Sequence, residues 1–428
     1  MIKHIKTSNS NKTDDKHNLS KYVVLTMYAL SLIIYGLILD KPMNIINGLY
    51  QIFIEPDLLI TDYIGVGGIG AAFVNSGLLT LISILLLYIL KININGTSIA
   101  AVFLMAGFSL FGKNLLNVWP IIIGVFLFSK LQKDSFSKYI YIALFGTSMA
   151  PTVTQVIYGF GFPVFLNVLF GVFVGIGIGF FLQPLSIFLV RVHQGYNLYN
   201  IGFTAGLMGT ILVSLLKSYG FKTPTVLIWT TEYNMELGIY LVLISVSMII
   251  IGYYYNDKSF KNFTNIFTYS GRLVTDFVFL EGFGATLINM GINGLIGITY
   301  ILLIKGQLNG PTVGGIFTLI GFGAFGKHAK NITPIFIGVA LGSLTKIWNI
   351  NDPAIQLAAL FGTTLAPIAG TFGWKYGILA GFIHSSVVLN VGTLHGGLNL
   401  YNNGFAGGLV AAVLVPIIEV FRKDEKNS

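Results

Sequence analysis

The sequence predicts an all-α polytopic membrane protein that consists of two homologous, inverted repeats with broken or re-entrant helices. Three observations predict this fold class. First, 54% of the 428 residues are hydrophobic and only 10% are charged, which is too apolar for a soluble globular domain. Second, a polar phrase that begins at His193 returns at His395, where ten of fifteen aligned positions are identical. Third, equivalent loops of the two halves carry opposite charge.

Long uncharged runs indicate the membrane helices. Residues 22–39, 78–90, 162–182 and 237–255 have the composition of bilayer-spanning segments, and we expect about 10–12 such segments in all. The chain also contains 51 glycines. Because Gly costs about 1 kcal/mol per helix position relative to Ala, this abundance indicates helices that pack closely or are interrupted.

The distribution of basic residues sets the predicted boundaries. The chain divides into a disordered cytoplasmic tail at residues 1–20, a first transmembrane repeat at 21–216, a connector at 217–235, a second transmembrane repeat at 236–420 and a cytoplasmic tail at 421–428. Lys and Arg concentrate in the tails and short loops. The net charge of +9 therefore indicates membrane topology and not nucleic-acid binding.

A phrase at residues 61–77 is echoed at residues 275–291. Thr, Asp, Gly, Gly, Ala, Asn and Gly recur there in register. Asp62 and Asp276 stand just before an apolar run, at the position of a helix N-cap. We therefore predict that both carboxylates cap helices and take no part in catalysis.

An asparagine recurs inside each of these predicted spans, as Asn75 and Asn289. An intramembrane asparagine either bonds a neighbouring helix or lines a polar path. Both roles stay open, and both residues are candidates for a solute site.

Another phrase, at residues 107–124, returns at residues 321–338. In each copy two short apolar pieces meet at Gly-Lys-x-x-x-Asn-x-x-Pro, which predicts a re-entrant hairpin. The alternative is a pair of ordinary short helices with Lys at the membrane surface. The candidate pore-lining residues here are Lys113, Asn117, Lys327 and Asn331.

Residues 145–151 and 361–367 form the next repeated pair. Each apolar half-helix ends in Gly, a hydroxyl and Pro, which is typical of a broken helix, so Thr147 and Thr363 are further candidates. Thr can also bond back onto its own helix. The first three repeated pairs lie 214 to 216 residues apart and the histidine phrases 202 apart, so the first half carries about fourteen extra residues between Thr152 and Val190.

The histidine phrases, here called the cassettes, are polar segments within apolar sequence. Their candidate solute-binding residues are His193, Asn197, Tyr199 and Asn200 in the first half and His395, Asn399, Tyr401 and Asn402 in the second. The two histidines could form a catalytic or metal pair. Without nearby acidic partners they are more typical of hydrogen-bonding residues.

Two residues break the symmetry of the repeats. Glu281 stands opposite Gly67, and His328 stands opposite Asn114. An acidic residue at membrane depth is a candidate for ion coupling. Glu281 lies close to the start of its helix and could instead reach the membrane surface.

Loop charges predict the inversion. The loop after the first helix is acidic, whereas the loop after residues 237–255 contains Lys258, Lys261 and Arg272. Under the positive-inside rule, equivalent loops then lie on opposite sides of the membrane, with both termini in the cytoplasm. We expect a multi-pass protein of the cell (plasma) membrane whose partners are the lipid bilayer and a small solute; a homo-oligomer stays possible.

The repeated phrases carry a resemblance to a known family. Phe-Gly-Lys-x-x-x-Asn-x-x-Pro and His-x-Gly-x-Asn-Leu-Tyr-Asn-x-Gly-Phe make the whole chain resemble an uncharacterised family of bacterial multi-pass membrane proteins with a domain of unknown function. That resemblance brings no established activity. More remotely, the plan is similar to that of urea transporters, which have two inverted halves with a Thr-Pro half-helix in each. The Leu-Pro-x-x-Thr-x-Pro-Phe phrase of that family is absent, so urea is not supported as the substrate.

The polar residues in duplicate predict transport. We expect a channel or secondary transporter for a small polar or anionic solute, with its site between the repeats near the bilayer midplane. One alternative is a cation-coupled transporter that uses Glu281; another is an intramembrane enzyme that acts on a lipid or prenyl substrate. The chain contains no His-Glu-x-x-His, Gly-x-Ser-x-Gly, Walker or Asp-rich metal sequence and no Cys. We therefore predict no enzyme activity, no cofactor and no metal.

Overall fold

A computed structural model describes the backbone of residues 2–222 and 226–427 and the side chains of residues 17–222 and 226–422. Residues 223–225 of the expected connector, and most charged side chains of the two expected tails, lie outside this description. The described backbone is helical, with isolated β-bridges in place of strands. It therefore agrees with the all-α fold class.

The first half contains ten α-helices and the second half contains ten more within the described residues. The helices of the first half are α1 Ile2–Leu39, α2 Pro42–Ile54, α3 Tyr63–Gly67, α4 Ile69–Ile89, α5 Gly96–Phe108, α6 Trp119–Leu131, α7 Ile140–Gly146, α8 Ala150–Gly159, α9 Val164–Leu189 and α10 Asn200–Ser218. Those of the second half are α11 Asn234–Tyr255, α12 Lys261–Asn265, α13 Phe277–Glu281, α14 Phe283–Leu303, α15 Gly310–Gly321, α16 Ala329–Thr345, α17 Pro353–Gly362, α18 Ala366–Phe372, α19 Trp374–Val391 and α20 Asn402–Asn427.

The first helix begins earlier than the first predicted span. It begins at Ile2, whereas the sequence predicted a disordered tail over residues 1–20. No Gly or Pro interrupts residues 2–20, so no residue there terminates the helix.

Nine candidate membrane spans occur among the described residues, which makes the chain a multi-pass membrane protein. They are His17–Leu39, Ile69–Ile89, Ile140–Gly159, Val164–Leu189, Asn200–Ser218, Asn234–Tyr255, Phe283–Leu303, Pro353–Phe372 and Asn402–Arg422. This number is below the 10–12 segments expected, because several other apolar helices are short. The 13 residues of α5 and of α6 reach about 20 Å at 1.5 Å per residue, against about 30 Å for the hydrocarbon core.

Equivalent helix pairs recur in the two halves. Helix α1 packs on α4 as α11 packs on α14, and α6 packs on α9 as α16 packs on α19. The halves contact each other through α5 with α15 and through α10 with α20. A Cβ atom on Gly107 of α5 would lie 2.7 Å from the carbonyl oxygen of Gly314 on α15. Glycine is therefore required where these two backbones meet.

Candidate functional site

Lys327 lies where the two halves meet. Lys327 follows a turn at Gly326, which has φ +92°, and the lysine side chain is completely buried. Its Nζ donates hydrogen bonds to the hydroxyl of Tyr199, from the other half, and to Oγ1 of Thr363, the latter at 2.8 Å. Nζ also lies 4.6 Å from the centroid of the Tyr199 ring. Three predicted site residues are thus in direct contact.

Lys113 occupies the equivalent turn of the first half and is also completely buried. Its Nζ contacts the sulfur of Met105 at 3.5 Å and lies 5.0 Å from the centroid of the Phe108 ring. The Oγ1 atom of Thr147 contacts the same sulfur at 3.3 Å. Lys113 therefore lies on the same type of turn as Lys327, but its Nζ contacts a thioether sulfur, whereas that of Lys327 contacts two hydroxyl oxygens.

A row of four aromatic rings lies between the two lysines. The ring centroids of Tyr199 and Tyr401 are 4.7 Å apart, and each tyrosine ring contacts a phenylalanine of the opposite half at 4.8 Å, Tyr199 with Phe322 and Tyr401 with Phe108. The hydroxyl of Tyr401 is buried and has no hydrogen-bond partner among the described residues. Tyr199 is thus bonded to Lys327, whereas the hydroxyl of Tyr401 has no such partner.

A small cavity reaches this row. Its volume is about 130 Å³. Its lining residues are Phe145, Leu198, Tyr199, Asn200, Ile201, Leu273, Phe322, Phe325 and Tyr401. The lining is apolar except for tyrosine and asparagine groups, so a molecule held there would meet few but specific polar contacts.

Neither buried lysine contacts a carboxylate among the side chains that the structure describes. The one ion pair in that part of the chain joins Lys138 to Asp134 in an exposed loop. A buried, unpaired charge is costly in a low-dielectric environment. Hydroxyl and aromatic contacts compensate the charge of a buried lysine only in part.

The intramembrane asparagines hold the lysine turns in place. Nδ2 of Asn75 donates to the carbonyl oxygens of Ser109 at 2.7 Å and Lys113 at 2.8 Å. Nδ2 of Asn289 bonds Gly323 and Lys327 at the same two distances. Of the two roles left open by the sequence, these contacts correspond to bonding a neighbouring segment.

The second asparagine pair lies inside the turns themselves. Oδ1 of Asn117 accepts a hydrogen bond from the backbone of Asn114, and Oδ1 of Asn331 accepts one from the backbone of His328, each at 2.9 Å. Their Nδ2 atoms donate back to the carbonyl oxygens of the turn glycines. Both residues therefore shape the turn that positions the lysine.

Each cassette is held by a histidine–asparagine bond. Nε2 of His193 lies 2.9 Å from Oδ1 of Asn200, and Nε2 of His395 lies 2.9 Å from Oδ1 of Asn402. These contacts agree with the hydrogen-bonding role predicted for the two histidines. They close each cassette into a compact loop before α10 or α20 begins.

The cassettes also bond each other across the halves. Nδ2 of Asn197 donates to the carbonyl oxygen of Gly404 at 2.9 Å, and Nδ2 of Asn399 donates to that of Gly202 at 3.1 Å. Gly202 and Gly404 occupy equivalent positions, and their backbones touch. Residues of the same type in the two halves therefore meet directly at the centre of the protein.

The helices predicted to be broken are interrupted by one turn only. Thr147–Met149 and Thr363–Leu365 are 3₁₀ turns that join α7 to α8 and α17 to α18. Thr147 and Thr363 each bond back to a carbonyl three residues earlier at 2.6 Å. The hydroxyl of Thr363 thereby remains able to accept from Lys327.

Glu281 lies apart from the central rings. It ends the short helix α13 and is half-buried, with its carboxylate accepting hydrogen bonds from Tyr269 at 2.6 Å and from Asn265 at 3.0 Å. His328 bonds the carbonyl oxygen of Tyr269 at 2.9 Å. Glu281 and His328, the two residues considered for ion coupling, therefore both bond Tyr269. No direct hydrogen bond joins Glu281 to Lys327 among the described residues.

The sequence analysis missed Asp57 as a site residue. Its carboxylate is completely buried and accepts hydrogen bonds from Tyr63, Asn117 and Thr154. A signal was present, because the repeat-equivalent residue of Asp57 is Gly271. A carboxylate found in one half only is the same kind of asymmetry that drew attention to Glu281.

Comparison with known proteins identifies the family but no activity. The profile of the protein family of unknown function DUF1576 matches residues 41–218 and 255–420. These segments make up more than half of the chain, so the chain belongs to that family. The match in two parts agrees with duplicated halves, and the resemblance to an uncharacterised membrane-protein family is confirmed. No curated protein and no solved structure matches the chain.

Proposed function

We propose that this member of the DUF1576 family is a channel or secondary transporter for small anions, which bind beside Lys113 and Lys327 between the two halves. The observation that carries the proposal is the complete burial of both lysines without a carboxylate partner among the described residues. A lysine at membrane depth costs at least about 2.5–3.5 kcal/mol on insertion scales. A bound anion would supply the missing counter-charge.

The groups around Lys327 suit an anion better than a neutral solute. The Tyr199 hydroxyl accepts from Lys327, which leaves its own proton available to a ligand. The unpartnered hydroxyl of Tyr401 offers a second donor, on a ring that packs against Phe108, the aromatic residue beside Lys113. An anion between such donors receives charge-assisted hydrogen bonds, which are about twice as strong as neutral ones.

The cavity beside Tyr199 and Tyr401 suggests a size of solute to test, although neither lysine is among its lining residues. Its volume of about 130 Å³ exceeds the roughly 10–15 Å³ that one water molecule requires by the same measure, so a small solute fits there. We therefore propose chloride, nitrate, formate and acetate as the class of solute to test.

The proposed architecture is an inverted repeat with two re-entrant hairpins, α5 with α6 and α15 with α16. Opposite loop charges support the inversion. The direct contacts between equivalent residues, Tyr199 with Tyr401 and Gly202 with Gly404, support a two-fold axis between the halves. In this arrangement both termini lie in the cytoplasm and the solute site lies near the midplane of the plasma membrane.

Flux measurements on purified protein in liposomes test the proposal. Uptake of chloride, nitrate, formate and acetate is compared for the wild type, Lys113→Gln, Lys327→Gln and the double variant. We expect each single variant to lower anion flux at least tenfold and the double variant to lower it further. Gln keeps the length and part of the hydrogen bonding of Lys but removes its charge.

Lys138→Gln is the matched control, because this lysine pairs with Asp134 in an exposed loop. It should transport anions as the wild type does. Monodisperse elution and an unchanged melting temperature show which variants are folded. Wild-type protein that carries none of the four anions, or a folded double variant with full flux, would refute an anion site at the lysines.

A further inference from the structure

Asp57 is a buried acid held by neutral groups. It lies in the connection between α2 and α3, outside the candidate spans. One carboxylate oxygen accepts from the hydroxyl of Tyr63 at 2.7 Å, and the other accepts from Asn117 at 3.0 Å and Thr154 at 3.1 Å. The Tyr63 hydroxyl can donate to a carboxylate or accept from a carboxylic acid. The cluster is therefore compatible with both protonation states.

The same cluster contacts the turn that carries Lys113. Nδ2 of Asn117 donates both to Asp57 and to the carbonyl oxygen of Gly112, the residue before Lys113. Thr154 belongs to α8, the helix that follows the 3₁₀ turn containing Thr147. A change of charge on Asp57 thus acts directly on both segments that border the Lys113 site.

The equivalent position of the second half carries no acidic residue. The residue equivalent to Asp57 is Gly271, where an added Cβ atom would lie 2.0 Å from the carbonyl oxygen of Gly326. Tyr63 is likewise matched by Phe277, which has no hydroxyl. Within the described part of the chain there are therefore two lysine turns but one carboxyl cluster of this kind, which fits one ionisation event per molecule.

We propose that Asp57 is the proton-binding site that couples anion movement to a proton gradient. A proton forms an O–H bond with a carboxylate oxygen of Asp57 on one side of the membrane and is released on the other, and one anion crosses with it. This inference rests on the proposed anion transport, and it assigns the coupling ion to a residue different from Glu281.

The surroundings favour the exchange of a proton near neutral pH. Burial raises the pKa of Asp57 to about 8, and the charge of Glu55 acts in the same direction, while the hydrogen bonds from Tyr63 and Thr154 oppose it. The titratable groups that face Asp57 are Glu55 at the end of α2, Tyr63 on α3 and Tyr158 on α8. None of these three is a cation, so none of them stabilises the ionised form of Asp57 by charge attraction.

Two transport modes of one variant test the inference. Proteoliposomes with the membrane potential clamped receive whichever of chloride and nitrate the wild type carries faster, because undissociated formic and acetic acid cross a bilayer unaided and would accumulate along a pH gradient without the protein. With an inward proton gradient of about one pH unit, the wild type should accumulate that anion about tenfold, as one proton per anion requires. Asp57→Asn should exchange anions across the membrane at equilibrium but accumulate none, whereas Asp134→Asn, in an exposed loop, should accumulate them as the wild type does.

The outcomes separate the two proposals. A wild type without anion exchange removes the proposed function itself. Two results would overturn the assignment of Asp57 alone. One is anion accumulation that a sodium gradient drives and a proton gradient does not; the other is proton-driven accumulation that persists in Asp57→Asn. Loss of accumulation in Glu281→Gln, together with its retention in Asp57→Asn, would also overturn it and would place the coupling site at Glu281.

Discussion

The carboxylate of Asp62 accepts a hydrogen bond from the backbone nitrogen of Gly310 at 3.1 Å, although the two residues are 248 positions apart and belong to different halves. The equivalent acid, Asp276, accepts one from the backbone nitrogen of Gly96 at 2.8 Å. Each acid also caps its own short helix, as the sequence predicted. Each half therefore supplies a cap to the short helix, α5 or α15, that leads to the lysine turn of the other half.

We expect Asp62→Ala to destabilise the protein by about 1–3 kcal/mol, because three backbone donors lose a buried acceptor. Asp276→Ala removes two such bonds and should cost less. Unfolding in mixed detergent micelles measures both. Glu232→Ala is the control that should show no measurable change, because the side chain of Glu232 is exposed. Equal stability of the Asp62 and Glu232 variants would contradict the capping role.

The contact between α5 and α15 can be tested with glycine substitutions. Gly107→Ala places a Cβ atom 2.7 Å from the carbonyl oxygen of Gly314, so it should destabilise the protein by about 1–3 kcal/mol. Gly177→Ala on α9 is the matched control, because an added Cβ atom there has no neighbour within 4 Å. It should be neutral or stabilising by up to about 1 kcal/mol. A similar effect of both substitutions on the unfolding free energy would argue against tight packing at Gly107.

The two central tyrosines should respond differently to loss of the hydroxyl. Tyr199→Phe removes the partner of Lys327 and should lower stability by about 1–3 kcal/mol. Tyr401→Phe removes a hydroxyl without a protein partner and should leave stability nearly unchanged. If that hydroxyl binds the anion, Tyr401→Phe should weaken the apparent affinity about fivefold, the equivalent of about 1 kcal/mol. Thermal unfolding and concentration-dependent flux together give both quantities, and unchanged affinity would exclude Tyr401 as an anion ligand.

The inverted arrangement predicts opposite labelling of two equivalent helices. Asn47 on α2 and Asn262 on α12 are both exposed, and the chain has no Cys that would react in the background. In intact cells an impermeant thiol reagent should label Asn47→Cys, in the acidic loop of the first half, and should leave Asn262→Cys unlabelled until the membrane is opened. Labelling of both from the same side would contradict the inversion.

The stability of the protein should fall as pH rises through the titration of Asp57. Its pKa is raised from 3.8 to about 8 by burial, so the folded state binds more protons than the unfolded state between these values. The contribution of Asp57 is therefore complete below about pH 4 and lost as the pH rises to about 8. We expect the melting temperature of Asp57→Asn to vary less over this interval than that of the wild type, and parallel curves for the two proteins would contradict the assignment.

The repeats made much of the site predictable from the sequence. Hydropathy and length indicated a membrane protein, and the duplicated phrases singled out both lysines, both tyrosines and both histidines before any contact was known. The capping role of Asp62 followed from its place before an apolar run. These features are local, because a helix is specified by residues three or four positions apart and a turn by its glycine.

Only the tertiary structure decided which of these residues meet. Lys327 and Tyr199 are 128 positions apart, and Asp62 caps a helix that begins 248 positions later. No periodicity within one segment encodes such a pair, since it depends on how α5 packs on α15 and α10 on α20. The tertiary structure also buries Asp57 under Tyr63, Asn117 and Thr154 and leaves Glu281 half-buried. The burial of a side chain is set by the segments that cover it and not by its own neighbours in the chain.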